Sequence, residues 1–278
     1  MKSLQVRSQS RWLAGWLTVS ACMIGMIPVV VADEAKTGAA AAKPTIDSTH
    51  PLYRPLEMAY ESRQALDNVK DYQAVFVKRE LIGRKVQTST MNLKLREEPF
   101  SVYLLFKDPN KGREVIFVNG KYKNQLQVHE TGIKAVVGTV SLDPKGDMAM
   151  DGNKYPVTMI GMRKMLEKII AQWEEEGKYG ETTVLFYDPK DTKLGDRPCA
   201  AIEASHPQPR SQFKFQKTLL FLDAETNLPI GVQQYGFPGK RDKQSPLVEE
   251  YTYGQLKLNA NLTDRDFDTT NPAYAYPK

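Results

Sequence analysis

Val86-Gln87-Thr88-Ser89-Thr90-Met91-Asn92-Leu93-Lys94-Leu95-Arg96 is the stretch on which the fold turns. Met91, Leu93 and Leu95 point one way; Thr90, Asn92 and Lys94 point the other. A period of two with one apolar side predicts a strand that buries one face and wets the other. The same character extends in both directions. Tyr72 to Glu80 is β-rich, and Phe100 to Phe106, Arg113 to Val118, Asn124 to His129 and Ile133 to Leu142 continue the series. Asp108-Pro109-Asn110-Lys111-Gly112 and Asn119-Gly120 are turn signals between them. Short connections of that chemistry join antiparallel neighbours, so the expected unit is a meander.

Two segments break the period. Pro55 to Val69 suits a helix, because proline is tolerated in a first turn where its missing N–H costs nothing. Leu56, Ala59, Tyr60, Leu66 and Val69 form its apolar face. Farther on, Thr158 can cap a helix that ends at Glu176, before Gly177. There Met159, Met162, Met165, Leu166, Ile169, Ile170 and Trp173 recur at helical spacing, with Lys164, Lys168, Gln172 and Glu175 on the other side. Strands resume at Thr182 to Tyr187, Arg197 to Ala204, Phe213 to Leu222, Leu228 to Tyr235 and Leu247 to Leu258.

The pattern adds up to roughly eleven strands and two substantial helices without β-α-β alternation, which excludes a parallel sheet. An antiparallel sheet with one apolar face must cover that face, and two helices are too few to cover so many strands laid flat. The expectation is therefore an α+β fold: an incomplete antiparallel β-barrel with the two helices across its concave side. Such a curved sheet leaves room for an apolar cavity.

The N-terminus carries a different message. Lys2, Arg7 and Arg11 precede an apolar run from Trp12 to Val31, and Val30-Val31-Ala32 leads into Asp33-Glu34. That is the pattern of a secretory signal over residues 1–32, cleaved between Ala32 and Asp33, which predicts a periplasmic or secreted protein. Pro28 within the run argues against its retention as a membrane anchor. Val19-Ser20-Ala21-Cys22 resembles a lipobox, which would instead tether the protein through an acylated Cys22. Residues 33–49, rich in Ala and Gly up to Lys43, read as a flexible linker, and 50–278 as a single domain.

Removing the leader takes the formal charge from +5 to +2, with both signs interspersed, so nucleic acid is not an expected partner. One cysteine, Cys199, would remain; it sits in a β-rich run and reads as a small buried hydrophobe rather than a nucleophile. His50, His129 and His206 share no metal or catalytic spacing. His129-Glu130 reads as a surface pair. Asp264, Asp266 and Asp268 alternate like a calcium loop, but Thr269 stands where that loop needs glycine. They read as a polar tail anchored by Phe267. Met148, Met150, Met159, Met162 and Met165 suit core packing, the deformable lining of a ligand site or soft ligands for Cu(I). With no nucleophile elbow, phosphate loop or dinucleotide glycine pattern, no enzyme and no cofactor is expected.

The order of elements resembles the LolA/LolB superfamily of bacterial lipoprotein carriers, which also includes the lipid- and peptide-sensing domain of RseB. The resemblance rests on Glu98-Pro99-Phe100-Ser101-Val102-Tyr103, Lys111-Gly112-Arg113-Glu114, Tyr155-Pro156-Val157-Thr158 with Gly161, Asn227-Leu228-Pro229-Ile230, and the closing Leu262-Thr263-Asp264-Arg265-Asp266-Phe267-Asp268. Within the superfamily the chain is most similar to a branch of unknown function. The resemblance implies a non-catalytic envelope protein that binds or transports a lipid or the acyl chain of a lipoprotein. A sensor or interaction protein with a peptide or protein partner is the alternative. Arg79 and Arg96 are candidates for the arginine the carriers hold inside the cavity. The expected apolar lining is Met91, Leu93, Leu95, Tyr103, Phe117, Met159, Met162, Leu166, Trp173, Phe215 and Tyr253.

Overall fold

A computed structural model describes residues 43–277, apart from 133–135, 137 and 241. The expected signal, its Ala32–Asp33 cleavage point, Cys22 and most of the 33–49 linker lie outside the described residues. So does the start of the strand expected from Ile133.

The chain opens with α1 (Tyr53–Ala65) and runs into β1 (Asp71–Ile82), β2 (Lys85–Arg96), β3 (Ser101–Asp108), β4 (Glu114–Val118), β5 (Leu126–His129) and β6 (Thr139–Leu142). A short helix α2 (Asp147–Met150) and the long α3 (Met162–Glu176) follow. The second half is β7 (Thr183–Tyr187), β8 (Lys193–Leu194), β9 (Arg197–Ser205), β10 (Lys217–Asp223), β11 (Pro229–Tyr235) and β12 (Leu247–Leu258). β8, the one strand beyond the eleven expected, has only two residues, too few to leave a periodic signature in the sequence.

Every pairing is antiparallel, in the order β6-β5-β4-β3-β2-β1-β12-β11-β10-β9-β7, with β8 also on β9. Each half is a meander. The long pairing of β1 with β12, from Tyr72 opposite Leu258 to Glu80 opposite Glu249, welds the halves together. β6 and β7 end the sheet without meeting, so the barrel is incomplete, as the strand pattern requires.

Alternation sorts the strands into two faces. Inward, Leu93, Leu95, Val102, Phe117, Ile202 and Leu220 are buried with Leu52 and Leu56 at α1 and with Met162, Leu166, Ile169 and Trp173 of α3. Outward, Tyr103, Ile116 and Val118 are covered by the C-terminal segment through Leu262, Phe267 and Tyr276. Phe267 anchors that segment as expected, and Asp266 receives the Lys94 ammonium at 2.7 Å.

The start of α3 departs from the sequence reading. Thr158 does not cap it; Val157–Met159 is a separate 3-10 turn, and the helix begins after Gly161, whose φ is +120°. Met159 therefore falls outside the helix. No side chain from the preceding turn caps α3. Instead Tyr72 Oη accepts the Met162 N–H and Tyr253 Oη accepts the Gly161 N–H, each at 3.0 Å. These donors belong to the amides a helix start leaves unpaired, and here the sheet supplies the acceptors.

Candidate functional site

Alternation continued along the inner faces builds a cavity of about 510 Å³ beside the sealed core. Its apolar walls are Phe76 of β1, Met91 of β2, Leu104 and Phe106 of β3, Val115 of β4 and Val128 of β5. α3 adds Met165 and Ile169, and Val232 and Tyr253 come from β11 and β12. Strands six places apart in the sheet, β5 and β11, can share one cavity only if the sheet curls. The connection from β6 to α3 crosses the opening: Met148 and Met159 line the cavity yet are 74% and 42% exposed, which puts them at its mouth.

The expected lining residues divide. Met91, Met159 and Tyr253 face the cavity. Leu93, Leu95, Phe117, Met162, Leu166 and Trp173 lie in the core on the same side of the sheet but behind it, where α1 and α3 close over the strands. Tyr103 is on the outer face, because in β3 it is Val102 and Leu104 that turn inward; its ring stacks on Tyr274 with centroids 4.1 Å apart. Phe215 is buried ahead of β10 and not in the cavity wall. The arginine candidates also turn outward. Arg79 pairs with Glu250 at 2.7 Å and Arg96 with Asp264 at 2.8 Å. His129 is buried rather than on the surface, while Glu130 lines the cavity and holds Arg113 at 2.8 Å.

Reading the sequence for apolar positions missed a polar wall. Glu249 is 1% exposed and accepts from Lys154 Nζ at 2.7 Å, Lys168 Nζ at 3.1 Å and the Tyr155 hydroxyl at 2.9 Å. Glu80, equally enclosed, accepts from the Tyr251 hydroxyl at 2.6 Å and Lys78 Nζ at 3.0 Å. Lys78 also donates to Asn153. Burial alone would push the Glu249 carboxyl up, but the two ammonium groups outweigh it and hold it below the usual carboxylate range. Burial lowers Lys168, whose ammonium also sits 3.5 Å from the centre of the Tyr155 ring. The signal for this wall was present: continuing inward from Phe76 by twos gives Lys78 and Glu80, and backward from Tyr253 gives Tyr251 and Glu249. Lys168 belongs to the polar side of α3, which here turns into the cavity.

Among the described residues no group of His, Cys, Asp and Glu has the geometry to hold a metal ion, and no helix is long and apolar enough to cross a membrane.

Solved structures with a similar arrangement include MucB, at 15% identity and a TM-score of 0.46, covering 77% of this chain and 62% of MucB. The chain thus spans about three fifths of that protein. Lipoprotein LppX of Mycobacterium tuberculosis matches at 10% identity and a TM-score of 0.42, over 77% of this chain and 97% of LppX. A LolA superfamily protein of Nitrosomonas europaea matches at 11% identity and a TM-score of 0.31, over 76% of this chain and 96% of its own. At these identities the likeness is one of architecture alone. No curated protein matches the sequence. A family model does match, over residues 69–276, which takes in all twelve strands and α3. The chain belongs to the family described as protein of unknown function DUF1571.

Proposed function

We propose that this protein is a non-catalytic, extracytoplasmic binding or carrier protein for a lipid, or for the acyl chain of a lipoprotein. The observation that carries this reading is the cavity of about 510 Å³, largely walled by apolar side chains and opening between two exposed methionines. Its volume is that of a small-molecule site, since such sites span roughly 300–1,000 Å³. The favourable term it offers is removal of hydrocarbon from water, about 0.8 kcal/mol for each CH₂ buried. Methionines at the mouth can re-pack around chains of different shape at little cost. The sequence pattern of residues 1–32 supports delivery across the inner membrane, with cleavage after Ala32, a linker to residue 49 and one binding domain beyond it.

A fluorescent fatty-acyl probe should bind the wild-type protein. Ala149→Trp, which fills the cavity from α2, should weaken it about tenfold or more, and Thr90→Glu, on the other face of β2, should not. Absence of probe binding by the wild type would sink the carrier reading. N-terminal sequencing of exported protein should find Asp33 first; an acylated Cys22 there would make the protein membrane-tethered.

One observation favours a second reading, an envelope sensor or interaction protein. β7 ends the sheet, and its Leu185 and Phe186 are 50% and 52% exposed. An apolar edge strand without lysine or proline is a template for strand addition by a peptide. If Phe186→Lys abolished capture of a partner that Ala149→Trp still captured, this reading would move ahead.

A further inference from the structure

The polar wall says more about the ligand than the apolar walls do. Glu249 and Glu80 are filled from within. Oε1 of Glu249 accepts from Lys168 at 3.1 Å, and its Oε2 accepts from Lys154 at 2.7 Å and from Tyr155 at 2.9 Å. On Glu80, Oε1 takes the Tyr251 hydroxyl at 2.6 Å, and Oε2 takes Lys78 at 3.0 Å and the Lys154 backbone N–H at 3.1 Å. A carboxylate so occupied has little left to offer a donor.

The ammonium groups are in the opposite condition. Each carries three donors. Among the described residues, Lys168 places one, on Glu249, and Lys78 places two, on Glu80 and Asn153. Lys164, one turn before Lys168, lines the same cavity and, among the described residues, reaches only the half-exposed Glu167, at 3.4 Å. The charges lining the cavity balance: Lys78, Lys164, Lys168 and Arg113 stand against Glu80, Glu249, Glu130 and an exposed Asp151 at the mouth. Arg113 and Glu130 are paired with each other at 2.8 Å. The wall therefore has donors to give and few acceptors.

We infer that the cavity takes an anionic amphiphile, with its hydrocarbon among Met91, Leu104, Val115 and Val128 and an oxyanion head, carboxylate or phosphate, at Lys168, Lys78 and Lys164. This rests on the lipid-binding reading and names its ligand class. A head group that only accepts is matched by the spare donors, whereas an ammonium head would meet filled carboxylates and like charge. Lysine suits the task as a point charge on a flexible stem, able to serve either oxyanion.

The test compares four probes of one chain length at pH 8: palmitate, palmitoyl lysophosphatidate, methyl palmitate and hexadecyltrimethylammonium. Palmitate, lysophosphatidate or both should bind about tenfold or more tighter than the ester, and the ammonium should bind weakest. Whichever acid binds more tightly identifies the source of the head group. Lys168→Met keeps the stem and should bring the acid-to-ester ratio close to one while ester affinity stays level. If that variant does not fold, Lys164→Met, on the rim, should lower the same ratio. Equal binding of acids and ester by the wild type overturns the head-group inference and leaves the apolar cavity standing. Binding of none of the four overturns the lipid reading itself.

Discussion

Removing one oxygen atom from Tyr72 tests how the helix that walls the cavity is held. Tyr72 and Tyr253 are fully enclosed, and their hydroxyls accept the Met162 and Gly161 amide hydrogens at 3.0 Å. Tyr72→Phe preserves the ring and creates almost no cavity, so its cost is that of a buried amide donor left without an acceptor, about 1–3 kcal/mol. Loss of a helix cap by other routes costs about 1 kcal/mol, at the lower end of the same range. Urea denaturation should show a lower midpoint at unchanged slope, the signature of lost stability without a change in surface exposed. The melting temperature should fall by roughly 2–4 °C for each kcal/mol in a chain of this size. Tyr187→Phe is the reference: its hydroxyl reaches Glu203 at 3.2 Å on the exposed β7 and should matter by less than about 0.5 kcal/mol. Tyr253→Phe should behave like Tyr72→Phe. Because the two rings meet edge-on at 6.3 Å and hold one helix end, the double variant should cost less than the sum of the singles. A Tyr72→Phe protein indistinguishable from Tyr187→Phe would refute this account of how α3 is seated.

Trp173, fully buried in the core between α3 and the sheet, should cost about 3–5 kcal/mol when cut to alanine, measured by the same denaturation; a loss under about 1 kcal/mol would remove it from the core. His206 should give stability a pH dependence. Burial alone would lower its pKa, but the Glu176 carboxylate, 3.3 Å from Nε2, and the Glu181 carbonyl, 3.0 Å from Nδ1, outweigh burial and raise it above 6.5. A raised pKa means that this contribution is complete below pH 6.5 and is lost as pH rises through the folded value. Unfolding free energy should therefore decline over that interval in the wild type and lack that component in His206→Gln; matching curves would rule the pair out as its source.

Much of the architecture was legible in local pattern. Met91, Leu93 and Leu95 alternate because a pleat turns successive residues to opposite faces, and this alone oriented β2 correctly. Met162 to Trp173 recur at helical spacing because one side of α3 must meet the sheet. The absence of β-α-β alternation was enough to exclude a parallel sheet. The two-residue β8 and the true start of α3 were not legible, since neither depends on periodicity. β8 exists only as a partner of β9, and α3 starts where two tyrosines from β1 and β12 wait for its amides.

The site shows the same division. Local sequence determines which face of a strand a residue occupies, so it placed Met91 and Tyr253 on the inner side. Which inner residues are sealed in the core and which wall the cavity depends on where α1 and α3 lie across the sheet, and that is a matter of packing between distant segments. Leu93 and Met91 have the same local pattern; only the covering helices separate them. In the same way Lys78, Lys168 and Glu249 read as ordinary surface charges from composition. They become a polar wall because β1, β12 and α3, far apart in the chain, bring Lys168 onto Glu249 and Lys78 onto Glu80 and Asn153 along one side of the cavity. Periodicity is a property of neighbours along the chain, whereas a cavity and a charge network are properties of neighbours in space.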